Sequence, residues 1–330
     1  MTKEQPLLTV NGLEVQFDTD EGIVQAVKGI SYSLQPGGSL GIVGESGCGK
    51  SVSSLAVMRL VPQPVGKIVA GDIQFQGQDL QSLSQSEMRD IRGGEISMIF
   101  QDPMSSLNPL LTVGYQIQES LHLHLGLNKH EGQKRTIELL NMVGIPSPEE
   151  RVNDYPHQLS GGMQQRVMIA MAISCQPKLL FADEPSTALD VTIEAQVIEL
   201  LGRLRRDLGM AVVLITHDLA VVAGFCDEVI VMYAGYVVEQ TSVREIFHNP
   251  RHPYTIGLLS SMPGEVGDSG RLTAIPGAPP DLTALPPGCP FVARCRFAQD
   301  KSNSQLPDLE TIEHSHAIRC FVDVETGELR

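Results

Sequence analysis

Apolar and polar residues alternate in two segments near the start of the chain, at residues 7–17 and 24–34. An acidic turn at residues 18–22 separates the two segments. Alternation with a period of two puts successive side chains on opposite faces of a strand, and turn residues between two such runs favour a hairpin. The chain is therefore predicted to begin with two antiparallel strands.

Short apolar runs without alternation follow and predict buried strands. They lie at residues 40–43, 71–75, 96–100, 179–182, 211–215 and 229–233. Helical patterns lie between several of them, and the longest, at residues 192–208, is followed by Gly209, a residue typical of helix C-termini. Strands that alternate with helices indicate a mostly parallel α/β sheet.

The pattern from residue 102 to residue 176 is mainly helical, with a first helix predicted at residues 112–125. Asn128 and Glu131 have the spacing of a capping box at the start of the next helix, and Ser84 with Glu87 has the same spacing before a shorter one. We expect residues 102–176 to form a helical subdomain inserted into the α/β core.

Proline becomes frequent after residue 247, where regular patterns end. This change predicts two parts, a first domain at residues 1–247 and a small irregular extension at residues 248–330. The length of 330 residues agrees with two domains.

The net charge is −15, which opposes wide binding to nucleic acid or to anionic lipid. No apolar run approaches the roughly 18 residues that a membrane-spanning helix needs. The N-terminal segment before the first predicted strand is short and polar and does not resemble a signal peptide, so a cytoplasmic location is expected.

Residues 44–51 read Gly-Glu-Ser-Gly-Cys-Gly-Lys-Ser, the pattern of a phosphate-binding P-loop between a strand and a helix. Gly44, Gly47 and Gly49 let backbone N–H groups converge on an anion, and the helix N-terminus adds positive charge. Lys50 is expected to reach the β- and γ-phosphates, and Ser51 to coordinate Mg²⁺. The alternative is a chance match in a glycine-rich turn.

Two carboxylates, Asp183 and Glu184, follow the apolar run at residues 179–182. Asp183 suits a Mg²⁺ ligand, while Glu184 can polarise the attacking water. A solvated turn is the alternative for paired acids at a strand end.

A Ser-Gly-Gly sequence at Ser160, Gly161 and Gly162 opens a long apolar helix and so predicts a second helix N-terminus that accepts an anion. Together these motifs resemble the complete set of an ATP-binding cassette (ABC) ATPase, in the same order and spacing. They are residues 44–51, Gln101, residues 159–164, Asp183, Glu184, residues 186–190 and His217. The resemblance covers about residues 7–245 and implies an ABC-type P-loop ATPase core with an antiparallel β subdomain.

The resemblance also implies roles. Phe17 corresponds to the aromatic residue that stacks on adenine, Gln101 to a ligand of Mg²⁺ and water, and His217 to the histidine on the γ-phosphate. A core phenylalanine, a solvated loop and a surface histidine are the respective alternatives. The residues expected on ATP are Phe17, Gly44, Glu45, Ser46, Gly47, Cys48, Gly49, Lys50, Ser51, Val52, Ser160, Gly161 and Gly162, and those on Mg²⁺ are Ser51, Gln101 and Asp183.

The resemblance further implies that two cassettes pack head to tail, with Ser160 and Gly162 of one chain closing over ATP on the other. Longer segments resemble the ATPase subunits of bacterial oligopeptide/dipeptide importers, which also handle nickel and related solutes; they lie at residues 99–109, 166–172, 231–235 and 252–255. The Met-rich signature helix resembles the "D" type, which implies a heterodimer with an "F" ATPase, two membrane permeases, an extracytoplasmic solute-binding protein and a place on the cytoplasmic face of the inner membrane.

Two other classes of P-loop protein fit the sequence less well. A soluble ABC protein acting on nucleic acid or ribosomes usually carries two cassettes, a long coiled coil or basic arms, and none is visible in the sequence. A small-molecule P-loop kinase does not account for the signature run at residues 159–164.

Three of the six cysteines, Cys289, Cys295 and Cys320, fall in the last fifth of the chain, where a metal or cluster site is expected rather than disulfides. They resemble three of the four cysteines that hold an iron–sulfur cluster in some importer ATPases, and Ser302 occupies the place of the missing one. The prediction is a structural [4Fe–4S] cluster on Cys289, Cys295, Cys320 and Ser302 or an exogenous ligand. Zinc, or three unrelated buried cysteines, are the alternatives.

Overall fold

The structure, a computed structural model, describes residues 5–102, 106–186, 190–262, 274–313 and 315–330. The chain forms two compact units, of which unit 1 comprises Met1–Leu34, Ser39–Gln81 and Ile215–Arg330, and unit 2 comprises Gln35–Gly38 and Ser82–Leu214. The domain boundary predicted at residue 247 lies inside unit 1, and the helical subdomain at residues 102–176 lies inside unit 2. Both divisions stay predictions.

The strands of the described chain are β1 (Leu8–Thr19), β2 (Gly22–Leu34), β3 (Ser39–Val43), β4 (Gly66–Phe75), β5 (Gln78–Asp79), β6 (Ile96–Ile99), β7 (Leu179–Asp183), β8 (Ala211–Thr216), β9 (Glu228–Tyr233), β10 (Tyr236–Ser242), β11 (Glu310–Glu313) and β12 (His316–Ile318). Its α-helices are α1 (Lys50–Val57), α2 (Gln85–Ile91), α3 (Val113–Leu125), α4 (Lys129–Met142), α5 (Pro148–Arg151), α6 (Gly161–Ile173), α7 (Val191–Leu208), α8 (Leu219–Ala223), α9 (Val243–His248), α10 (Pro253–Ser260) and α11 (Asp300–Ser304). Single 3₁₀ turns occur at Pro156–Gln158 and Val292–Arg294.

Unit 1 contains a four-stranded sheet in the order β2-β1-β4-β5. Strands β1 and β2 pair antiparallel from Leu8 opposite Leu34 to Thr19 opposite Gly22, as their alternating pattern predicts. Their apolar positions are buried on one face, with Leu13 and Val15 fully covered. The predicted antiparallel β subdomain is thus confirmed.

A second set of strands in unit 1 runs in the order β11-β12-β10-β9-β3. Strands β3 and β9 are parallel, whereas β9 and β10 form a hairpin. The hairpin turns at Ala234 and Gly235, whose φ angles of 49° and 87° lie in the left-handed region. The C-terminal extension contains the short strands β11 and β12 and the helices α10 and α11, which the sequence pattern did not show.

Unit 2 contains strands in the order β8-β7-β6, and β6 runs parallel to β7. All residues of β6 and β7 are buried, which explains why both strands are mainly apolar and show no alternation. Helices α3, α4 and α6 pack on one another beside these strands. A capping box at Asn128 starts α4, and Gly209, at φ 65°, ends α7, so both sequence signals are confirmed. Within the described ranges, none of the helices has the length and apolar character required to cross a bilayer.

Candidate nucleotide-binding and hydrolysis site

The loop after β3 has the backbone that a phosphate cradle requires. Gly47 and Gly49 take φ angles of 80° and 102°, which side-chain-bearing residues rarely adopt. A Cβ on Gly44 would collide with the carbonyl oxygen of Met232, and a Cβ on Gly49 with that of Ala26. The glycines are therefore needed for the loop to lie this close to its neighbours.

Lys50 opens helix α1 and is only 5% exposed. Its Nζ donates to the carbonyl oxygens of Gly44 at 2.8 Å and Glu45 at 3.1 Å. Gly49 occupies the N-cap, and no side-chain hydrogen bond caps the helix within the described chain. The loop thus combines a buried cation, a helix N-terminus and a concave backbone, which together fit the phosphates of a nucleotide.

Glu45, the second residue of the loop, is held by residues that the motif analysis did not find. Both oxygens of its carboxylate accept from the guanidinium of Arg294, at 2.7 and 2.9 Å. Its backbone N–H donates to the hydroxyl oxygen of Tyr254 at 2.9 Å. The two ion-pair partners are 249 positions apart, so no local sequence signal could have joined them.

In unit 2, the predicted acidic pair lies at the end of β7. Asp183 is its last residue and is buried, while Glu184 follows in a left-handed conformation with φ 44°. The carboxylate of Glu184 accepts from Nε2 of Gln101 at 2.9 Å, so the structure brings these two predicted residues together. A non-glycine residue in this region costs roughly 1–3 kcal/mol and persists where the surroundings fix it, often at functional sites.

The residues after Glu184 are fixed by side chains of neighbouring helices. The amide of Gln165 in α6 donates to the carbonyl oxygen of Pro185, and Ser186 donates to Glu194 in α7 at 2.7 Å. Asp190 caps α7 by accepting from the backbone of Ile193. The other three residues of the predicted motif at 186–190, namely 187–189, lie outside the described residues.

The signature segment forms the start of helix α6. The hydroxyl of Ser160 accepts from the backbone N–H of Met163 at 3.4 Å and so caps the helix. Ser160 and Gly161 are exposed, and Gly162 is half-buried. Gln164 anchors the segment from behind by donating to the carbonyl oxygens of Pro156 and Leu159.

The remaining predicted ATP ligands lie in unit 1. Phe17 is half-buried on β1 opposite Val24 of β2, and Val52 is half-buried in the first turn of α1. His217 is exposed after β8, directly before Asp218, which caps α8.

The cysteines of the C-terminal extension do not form the predicted cluster site. Among the described residues, no three His, Cys, Asp or Glu side chains converge to hold a metal ion. Burial raises the pKa of Cys289 and Cys295, and raises the pKa of Cys320 to about 11, so the thiols are neutral near pH 7. Ser302 is buried beside Cys289, but its contact there is a backbone one, in which its carbonyl oxygen accepts from the Cys289 N–H at 2.8 Å. The described residues thus show no cluster-binding group, and the sequence prediction of an iron–sulfur centre is not supported.

A glycine-shaped loop around a buried lysine, and a strand-end glutamate paired with a glutamine, define the class of P-loop nucleotide hydrolases.

Comparisons with known proteins narrow this class. Residues 27–187 match the family described as "ABC transporter", and residues 238–301 match "Oligopeptide/dipeptide transporter, C-terminal region". The chain is 51% identical over 323 residues to the oligopeptide transport ATP-binding protein OppD of Bacillus subtilis, covering 98% of this chain and 90% of that protein. It is 53% identical over 319 residues to the dipeptide transport ATP-binding protein DppD of Escherichia coli, covering 97% of each.

A solved dimer of the ATP-binding cassette MJ0796, in a post-hydrolysis state with ADP and Pi, matches with a TM-score of 0.65 and 29% identity, over 72% of this chain and 99% of that one. The chain therefore belongs to the ABC transporter family, among the ATP-binding proteins of peptide transport. It has the ABC ATPase fold and is an ABC-type ATPase.

Proposed function

We propose that this chain binds and hydrolyses ATP to drive the import of peptides or related solutes through a membrane ABC transporter. The observation that carries the proposal is the phosphate loop, in which Gly47, Gly49 and the buried Lys50 form a cradle. The names of its relatives, which concern oligopeptide and dipeptide transport, support the substrate class.

ATP would bind with its β- and γ-phosphates at the N–H groups of residues 44–52 and at Nζ of Lys50, and with its adenine on Phe17. Ser51, Gln101 and Asp183 carry the oxygen donors that Mg²⁺ prefers. When bound, Mg²⁺ neutralises charge that develops on the phosphates.

Glu184 would orient and deprotonate the attacking water. The Gln101 amide donates to its carboxylate and so restrains that group, and the backbone of Glu184 is left-handed. His217 would contact the γ-phosphate, and its exposure leaves it accessible.

Ser160, Gly161 and Gly162 would act on ATP held by a second cassette. The exposure of Ser160 and Gly161 at a helix N-terminus supports this use because the positive end of α6 faces solvent. The dimeric cassette among the similar structures agrees with a head-to-tail pair. The partner would be a related ATPase of the "F" type.

Of the two permease subunits expected in the transporter, one would dock a helix on the helical part of unit 2. Its surface exposes apolar side chains that a lone globular protein tends to cover, with Tyr115 at 55%, Leu123 at 73% and Leu110 at 82% exposure. Tyr115 and Leu123 lie on α3. Docking there would hold the chain on the cytoplasmic face of the inner membrane, where the permeases receive solute from an extracytoplasmic binding protein.

The test is copurification with the permeases encoded beside this chain, followed by peptide uptake into vesicles with ATP inside. ATP-dependent uptake that Glu184→Gln abolishes is expected. ATPase activity that responds to nucleic acid but not to permeases and peptide would favour the soluble alternative, which no comparison supports.

A further inference from the structure

Glu45 poses an electrostatic problem for the proposed function. Its carboxylate belongs to the loop that receives a triphosphate, and like charges at short range repel. The backbone N–H groups and Lys50 attract phosphate, but an unpaired carboxylate in the same loop would weaken that attraction. The loop therefore needs a compensating charge close to Glu45.

Arg294 supplies that charge from the C-terminal extension. Its two terminal nitrogens form a bidentate ion pair with Glu45, and the Arg294 side chain is only 6% exposed while that of Glu45 is 27% exposed. Bidentate pairs of this kind fix geometry as well as charge. The ion pair thus neutralises Glu45 and restrains the loop.

The Arg294 guanidinium is itself held in place on several sides. Its Nε donates to the carbonyl oxygen of Pro276 at 2.9 Å, and Nη1 donates to the Tyr233 hydroxyl at 3.3 Å. The guanidinium also lies 5.8 Å from the centre of the Tyr233 ring and 5.9 Å from that of Phe291. These contacts orient it for Glu45 and reduce the entropy lost when the pair forms.

We propose that Arg294 is a positioning residue for nucleotide binding: it cancels the charge of Glu45 and holds the phosphate loop, so that the C-terminal extension sets the affinity of the loop for ATP. This inference rests on the proposed function, in which ATP binds at the loop.

The test compares ATP affinity, measured by calorimetric titration of the full-length chain, between wild type and a set of variants. Arg294→Met is expected to weaken ATP binding about tenfold, because Glu45 is left unpaired beside the phosphates. Glu45→Gln is expected to tighten it about threefold, since Arg294 then adds uncompensated positive charge. Arg294→Lys keeps the charge but loses the fork and should fall between wild type and Arg294→Met.

The decisive measurement is the double variant Arg294→Met with Glu45→Gln, which should recover to within about threefold of wild type because both charges are removed. A purely structural role for Arg294 predicts no such rescue. The matched control is Arg296→Met, which removes an exposed arginine two positions away that stacks on Phe297. Its ATP affinity should equal that of wild type.

The inference is overturned if Arg294→Met binds ATP as tightly as Arg296→Met, or if the double variant stays as weak as Arg294→Met. If Arg294→Met does not fold, Arg294→Lys and Glu45→Gln decide, and equal ATP affinity of both with wild type overturns it. Absence of ATP binding in wild type would instead overturn the proposed function and this inference with it.

Discussion

The phosphate loop and the signature segment are both helix N-termini suited to anions, but they differ in how much of each is completed by the chain. The loop has a buried lysine and is held by Arg294 and Tyr254 from the C-terminal extension. In the signature segment, Ser160 is exposed, and its hydroxyl caps helix α6. The phosphate loop is held by residues of its own unit, whereas the signature segment is exposed to solvent.

This contrast indicates that the two helix N-termini have different roles. A preorganised loop binds its ligand without a large ordering cost, so the isolated chain should bind ATP. An exposed N-terminus contributes only when another molecule approaches it. Hydrolysis by the isolated chain is therefore expected to be slow, and a purified monomer with full activity at low concentration would contradict the proposed use of Ser160 and Gly162 on a partner's ATP.

The largest expected effect is on turnover in Glu184→Gln. The amide keeps the shape but removes the group that deprotonates water, so the hydrolysis rate should fall about 10²–10⁴-fold while ATP binding is kept. Steady-state phosphate release in the assembled transporter measures this. Glu138→Gln, on the surface of α4, is the control, and more than half the wild-type rate in Glu184→Gln would exclude the role.

A pair of variants next separates the two helix N-termini. Lys50→Ala should weaken ATP binding by the isolated chain at least about tenfold, because the only buried cation among the described residues of the loop is lost. Ser160→Arg should leave that binding unchanged but lower turnover in the assembled transporter. Ser84→Arg removes a comparable helix cap, at α2, worth about 1 kcal/mol, and controls for stability. Equal ATP affinity of Lys50→Ala and wild type would refute the loop assignment.

The stability of the folded chain should also depend on pH, through a histidine that contacts Tyr254, one of the residues that hold the phosphate loop. Burial lowers the pKa of His252 from its ordinary 6.5 to about 4, and its Nδ1 accepts from the backbone N–H of Tyr254. Glu239 and Arg319 are the charged groups that face it. Because the unfolded chain takes up a proton on this residue first, stability is unaffected above pH 6.5 and falls as pH drops toward 4, by about 2 kcal/mol at pH 5.

Urea unfolding at pH 7.5 and pH 5 tests this dependence. His252→Asn can still accept from the Tyr254 N–H but does not titrate, so its loss of stability between the two pH values should be smaller than that of wild type. Equal losses in the two proteins would show that His252 does not carry the effect.

The smallest effect is expected from the cysteines. Since the described residues contain no group of three His, Cys, Asp or Glu side chains that could hold a metal ion, anaerobically purified protein should contain neither stoichiometric iron nor acid-labile sulfide. Replacement of Cys289, Cys295 and Cys320 by serine should leave ATP affinity unchanged. Stoichiometric iron and sulfide in wild type would restore the cluster prediction, and their appearance only in Ser302→Cys would show that the serine prevents assembly.

Local sequence patterns predicted much of the fold. The errors lie where tertiary contacts determine the ends of a strand. The helix expected directly after the phosphate loop is confirmed, since α1 runs from Lys50 to Val57. Strand β4 begins at Gly66, five residues before the predicted run; its first half is mostly uncovered, and the apolar residues Ile68, Val69 and Ala70 there do not alternate with polar ones. Phe100 was placed in β6 but lies exposed beyond its end.

The site divides in the same way. The loop and the acidic pair are contiguous motifs and could be found from spacing, and the contact between Gln101 and Glu184 agrees with the resemblance that named both. The ion pair of Glu45 with Arg294 joins residues that are far apart in the sequence, so no local or periodic pattern predicts it. The iron–sulfur cluster was predicted from the clustering of three cysteines and from a resemblance to some importer ATPases, and neither fixes how the three thiols are placed relative to one another.

The strand β12 has a consequence for how the extension can be treated. It pairs with β10 through Glu239 opposite Ile318 and Gln240 opposite Ala317, and β11 then pairs with β12. Without them, β10 would present unpaired N–H and C=O groups along a sheet edge, which is a template for pairing with other chains. A chain truncated at residue 247 would thus expose the edge of β10. Aggregation of that chain would result from the unpaired edge rather than from a loss of ATP hydrolysis.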